Sequence, residues 1–174
     1  MGLWEQFLAW LHPPAIKQIT IWHPPYTQAN QKAFLTMIAV SEGTEKLGNN
    51  GYNVLFGGEL FTNYADHPRK EVFIPRLGIE TSAAGRYQIE KGTFDFYKKK
   101  LDLVDFSPKS QDTIALALIA DHCALDDVNC GRVEKAVAKC SSVWASFQGS
   151  KAGQPTNSVG VLIASFKSAG GKLA

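Results

Sequence analysis

The chain reads as an α+β protein, mostly helical with one small antiparallel sheet. Two observations predict this. Apolar residues recur at helical spacing in several segments that open on capping residues and close on glycine. A single glycine- and asparagine-rich stretch, residues 48–62, instead brackets short aromatic and β-branched runs with turn residues, the pattern of a small sheet. With 174 residues the chain can bury one good core, which gives one compact domain preceded by an N-terminal extension.

The extension comes first. Leu3, Trp4, Phe7, Leu8, Trp10 and Leu11 are spaced for a short amphipathic helix, whose apolar face must dock on its own domain, on a partner protein or at a membrane interface. Prolines at 13, 14, 24 and 25 make residues 13–29 an extended connector. The main domain is expected over 30–174. Its first helix opens at Asn30, a residue able to cap, and ends at Gly43. The glycine-bracketed runs Tyr52–Phe56 and Glu59–Thr62 supply the sheet, with Val72-Phe73-Ile74 as a further strand or loop edge. Helices follow at Gly92–Leu101, from Ser107 as N-cap and Pro108 at the first helical position to about His122, at Val133–Lys139, and from an Asn157 cap to Gly170-Gly171.

The segment with most chemical content is Ala39-Val40-Ser41-Glu42-Gly43-Thr44. Phe34, Leu35, Ile38 and Glu42 share one helix face, so the carboxylate sits on the side that is otherwise apolar. Burial and the negative end of the helix dipole both raise its proton affinity, as a general acid requires. Taken alone, the same residue is equally a solvated glutamate in a last helical turn. A second segment narrows the choice. In Thr81-Ser82-Ala83-Ala84-Gly85-Arg86-Tyr87-Gln88 small residues bring the backbone close to a groove into which Tyr87 and Gln88 are expected to project.

Composition excludes several classes. A net charge of +2 is too weak to argue for nucleic acid. No run approaches the roughly 20 apolar residues that span a bilayer, and Met1–Leu11 lacks the basic start of a signal peptide. Cys123, Cys130 and Cys140 form no CxxC pair, which argues against a zinc site, and no metal or cofactor is expected. Free thiols are the expected state, with a Cys123–Cys130 disulfide the alternative in an oxidising compartment.

In combination the motifs resemble a known family, the endolysins of the bacteriophage lambda type, which are lysozyme-like lytic transglycosylases. The resemblance covers about residues 31–171. It rests on Ser41-Glu42-Gly43-Thr44, Gly51-Tyr52, Gly57-Gly58-Glu59-Leu60-Phe61-Thr62, Asp66-His67-Pro68-Arg69-Lys70, Ala84-Gly85-Arg86-Tyr87-Gln88, Asp105-Phe106-Ser107-Pro108-Lys109-Ser110-Gln111-Asp112, Trp144-Ala145-Ser146 and Phe166-Lys167-Ser168-Ala169-Gly170-Gly171. Asn50, where the family often has histidine, Cys123, Cys130 and an altered segment Glu71–Thr81 depart from the family pattern.

The resemblance implies a lysozyme-like fold whose small sheet helps form a saccharide groove, with Glu42 as the catalytic residue. It also implies two lips, around residues 70–80 and 142–156, that close over peptidoglycan glycan strands. Tyr87 and Gln88 would hold the substrate and Tyr52 and Phe61 would stack on sugar rings, although core packing suits both aromatics equally. His67 would meet substrate or make a structural hydrogen bond, and Arg69 and Arg86 are expected to pair inside the protein. Two-carboxylate hydrolysis needs a partner for Glu42, and Glu45, Glu59 and Asp66 are all weakly placed. The missing partner fits the transglycosylase reaction that the family implies, in which the C6 hydroxyl of muramic acid attacks its own C1. The expected setting is host lysis, from the host cytoplasm onto periplasmic peptidoglycan. The competing expectations are a hydrolytic muramidase and a virion-associated wall-binding component that docks through residues 1–12.

Overall fold

The computed structural model describes residues 27–174. The amphipathic segment and most of the connector lie outside the described residues. Among the described residues six helices and one hairpin follow in order: α1 (Thr27–Ser41), β1 (Val72–Ile74), β2 (Ile79–Thr81), α2 (Lys91–Lys100), α3 (Pro108–Asp121), α4 (Leu125–Asn129), α5 (Val133–Cys140) and α6 (Val159–Ser168).

Helix α1 is the axis of the fold. Ala33, Phe34, Met37, Ile38 and Ala39 are all fully buried, more than one face of a helix can hold, because α3, α4 and α6 pack around it. Its already helical start at Thr27 places Asn30 inside α1 and not at its cap. The buried Asn30 side chain does something else. Its amide donates to Asn129 O (3.1 Å) and Lys172 O (3.0 Å), and its Oδ1 accepts from Lys172 N–H (2.8 Å), tying α1 to the end of α4 and to the C-terminal tail. An amide buried with both its groups paired adds position without leaving an orphan donor.

The later helices form close to where the sequence places them. Ser107 caps α3, accepting from Ser110 N–H, with Pro108 at the first helical position. The cap of α6 is Ser158 and not Asn157. Helix α4 is short and was not anticipated, since five residues carry too little periodicity to read.

The sheet differs from expectation. Residues 52–62 make only isolated bridges, Val54 to Leu60 and Leu55 to Ala84; across the turn at Gly57-Gly58 Leu55 N–H donates to Glu59 O (2.7 Å) and Phe61 N–H to Asn53 O (3.0 Å), without a continued ladder. The ladder instead joins β1 to β2, antiparallel, with Val72 opposite Thr81 and Ile74 opposite Ile79. All three cysteines are free.

Candidate active site

Glu42 stands at the point where α1 stops. Gly43 takes φ +72°, its N–H donates to Val40 O (3.1 Å), and Thr44 N–H reaches back to Ala39 O (2.9 Å), the paired bonds of a Schellman ending. The left-handed turn sends the chain off the helix axis. Glu42 is thereby left on the rim of a groove of about 520 Å³ lined also by Phe56, Ala83, Gln88, Trp144 and Ser146. The turn is anchored below, where the buried Thr44 hydroxyl donates to Arg86 O (2.6 Å) and so joins the Glu42 segment to the Gln88 segment.

Burial raises the proton affinity of Glu42 above the ordinary carboxylate range, and hydrogen bonds from Ser146 oppose that shift only in part. The Ser146 hydroxyl donates to Oε1 at 2.6 Å. Behind it, Ser41 Oγ donates to Ser146 Oγ (2.7 Å) and the Asn157 amide donates to Ser41 Oγ (3.0 Å). A partly buried carboxyl with a raised pKa, open to a groove on one side and fixed on the other, has the features of a general acid.

Of the residues expected to bind substrate, only Gln88 lines this groove with Glu42. Its φ of +49° turns the chain, and its side-chain amide donates to Gly85 O (3.1 Å). Tyr87, in the same turn, points instead into the core and is 2% exposed. Its hydroxyl donates to Asp112 Oδ1 (2.5 Å), an oxygen that also accepts from Tyr52 (2.9 Å). Burial, and after it the charge of Asp112, raises the Tyr87 pKa. Tyr52 packs edge-on to Tyr87, with the Arg86 guanidinium 5.3 Å over its ring, so it too is turned off the Glu42 groove. Phe61, half-buried, lies against Tyr64 and Phe106 at the edge of the core. Arg86 is held by Asn50 O and Gln111, while Arg69 pairs with Asp66 and Asp95.

His67 is buried against Phe94 and Phe106. Its Nε2–H donates to Ile89 O (2.9 Å) and its Nδ1 accepts from Arg69 N–H (3.0 Å), a network that assigns the neutral Nε2–H tautomer. Burial lowers its pKa. The unfolded chain takes up a proton near pH 6.5 and the folded chain does not, so this group removes stability as pH falls below about 6.5. A long-range ¹H–¹⁵N titration should show the Nε2–H tautomer of His67 and a midpoint below that of a free imidazole; a raised midpoint would contradict the assignment.

Sequence reasoning missed Glu90, which lines the groove. It follows the turn that ends at Gln88, and no local pattern in the sequence marks it as facing the groove. Both its oxygens are occupied: Thr81 Oγ1 donates to one (2.5 Å), Ser82 N–H (2.8 Å) and Oγ (2.5 Å) to the other. The acids considered from sequence lie off the groove, Glu59 paired with Lys70 and Asp66 with Arg69 and Lys98. Among the described residues no cluster of acidic, histidine or cysteine side chains is arranged to hold a metal.

Comparison with known proteins agrees with this architecture. A family model described as Endolysin matches residues 32–173. The endolysin of Escherichia phage lambda is 49% identical over 146 residues, 81% of this chain and 91% of that protein. The endolysin of Escherichia phage P2 is 42% identical over 157 residues, 83% of this chain and 95% of that one. Bacteriophage lambda lysozyme complexed with a chitohexasaccharide superposes with a TM-score of 0.80 at 46% identity, over 84% of this chain and 97% of the other. The fold is therefore that of lambda lysozyme, and the chain belongs to the endolysin family.

Proposed function

We propose that this endolysin degrades host peptidoglycan as a lytic transglycosylase, cleaving the β-1,4 bond between N-acetylmuramic acid and N-acetylglucosamine. The observation that carries the reading is a groove with one available acid. Glu42 is partly buried with raised proton affinity, whereas Glu90, the other carboxylate on the wall, has both oxygens held by Thr81 and Ser82. A hydrolase of either stereochemistry needs a second free carboxylate to activate water or form a glycosyl intermediate. An intramolecular nucleophile removes that need.

In the proposed step the C6 hydroxyl of muramic acid attacks its own C1 while the C1–O4 bond breaks. Glu42 gives its proton to the departing O4 and its carboxylate receives the proton released by the C6 hydroxyl. The products are a shortened strand ending in 1,6-anhydromuramic acid and a free N-acetylglucosamine end, and no water is consumed. Gln88, facing the same groove, is placed to hydrogen-bond an acetamido group or hydroxyl of the glycan. That lambda lysozyme has been solved with a chitohexasaccharide supports a glycan in the corresponding groove here. The substrate strands lie in the periplasm, with synthesis in the host cytoplasm beforehand, and residues 1–12 are an accessory that docks on a protein partner or the membrane interface.

Mass spectrometry of muropeptides released from purified sacculi tests the reaction. Products lighter by one water than their hydrolytic counterparts, and resistance of 6-O-acetylated muramic acid, are expected. Predominantly reducing-end muramic acid would overturn the transglycosylase reading in favour of a hydrolytic muramidase.

A further inference from the structure

We infer that Ser146, backed by Ser41 and Asn157, is a positioning residue that reserves one oxygen of Glu42 and confines the transferable proton to the other. The inference rests on Glu42 being the acid. Its grounds are geometric. The Asn157 amide lies within 3.3 Å of Ser41 O and 3.0 Å of Ser41 Oγ. A carbonyl oxygen accepts only, so the amide nitrogen faces Ser41, and Ser41 Oγ must accept from it. The one proton of Ser41 then passes to Ser146 Oγ (2.7 Å), and the one proton of Ser146 passes to Glu42 Oε1 (2.6 Å).

Each hydroxyl in this chain gives once and receives once, so the direction is set at its far end by an amide that cannot reverse. A proton placed on Oε1 would compete with the Ser146 hydroxyl for that oxygen's lone pairs and weaken the bond; Oε2 carries it without that competition. The oxygen left free is the one that can face the glycosidic bond. No charged side chain in the groove sets the direction instead. The wall segments 54–58 and 143–155 bring none to it, and Glu90 is held by Thr81 and Ser82.

The same bonds root the second lip. Ser146 and Asn157 stand on either side of residues 147–156, and Asn157 N–H donates to Ser146 O (2.7 Å), closing the base of that loop. Across the groove, a β-carbon on Gly153 would lie 3.5 Å from Leu77 in the turn between β1 and β2, so the two lips approach each other. The lip base and the acid thus share one hydrogen-bond chain.

The test is a ¹³C titration of the Glu42 side-chain carboxyl, read beside the pH profile of kcat/KM. In Ser146→Ala the Glu42 midpoint should rise by about one pH unit, since a donor to the carboxylate is lost. The basic limb of kcat/KM should move with it. Ser146→Thr, which keeps the hydroxyl, should restore both, and Ser41→Ala should give a smaller shift in the same direction. An unmoved midpoint in folded Ser146→Ala, or in Ser41→Ala if the first variant does not fold, overturns the inference. A moved midpoint with an unmoved kinetic limb supports the hydrogen-bond chain and instead overturns Glu42 as the acid.

Discussion

Glu42→Gln should abolish most of the lytic activity and at the same time make the protein more stable at neutral pH. Glutamine keeps the size of the side chain and an oxygen for the Ser146 hydroxyl, but it has no proton to transfer. Loss of general acid catalysis costs roughly 10² to 10⁴ in rate. The stability gain follows from the raised proton affinity of Glu42, whose first cause is burial. A glutamate in the unfolded chain ionises near pH 4.3, while in the folded protein ionisation is opposed. Between those two pKa values the folded state holds the extra proton, so stability falls as pH rises through that window and stays reduced above it. The amide carries no such cost. Thermal melts should therefore place Glu42→Gln above the parent at pH 7, with the difference closing as pH approaches 4. Near-parental turnover of sacculi by the folded variant would remove Glu42 from the reaction; equal melting temperatures at pH 7 would show that its burial is fully compensated by Ser146.

The place of Glu42 at the end of α1 was legible in the sequence because two independent signals met at it, an apolar helix face and a helix-ending glycine. The same signals located α2, α3, α5 and α6 to within a few residues, since periodicity and capping chemistry are local. The groove wall was less legible for a physical reason. Tyr52, Phe61, His67 and Tyr87 have the composition of a sugar platform, yet an aromatic ring buries 150 to 250 Å², about, and the core takes what it can reach. His67 and Tyr87 gave no local sign that Ile89 O and Asp112 wait for their polar atoms, because those partners are 22 and 25 residues distant. Asn30 and Asn157 misled in the same way. Both are good caps by type, and both are used on long-range partners, Lys172 and Ser41.

Gly85→Ala should strongly destabilise the link between the Gln88 wall and the rest of the domain. Gly85 has φ +77°, a backbone conformation that costs a residue with a β-carbon on the order of 1 kcal/mol or more. The added carbon would also collide with the Gln111 side chain, its Oε1 foremost. Gln111 has nowhere to go. It is fully buried, its Oε1 accepts from Arg86 N–H (2.9 Å), and its Nε2 donates to Tyr52 O and Phe106 O at 2.9 Å each. Moving it strands buried donors and acceptors, each costing about 1 to 3 kcal/mol, in addition to the strain of overpacking. A total loss of roughly 3 to 5 kcal/mol is expected, a large share of the 5 to 15 kcal/mol that holds a domain of this kind together. Denaturant melts read it directly. Gln111→Ala in the Gly85→Ala background should recover part of the loss by vacating the space, so the double variant ought to be more stable than the sum of the two single changes. Simple additivity would show that the left-handed backbone alone, and not the packing of Gln111, fixes glycine at this turn.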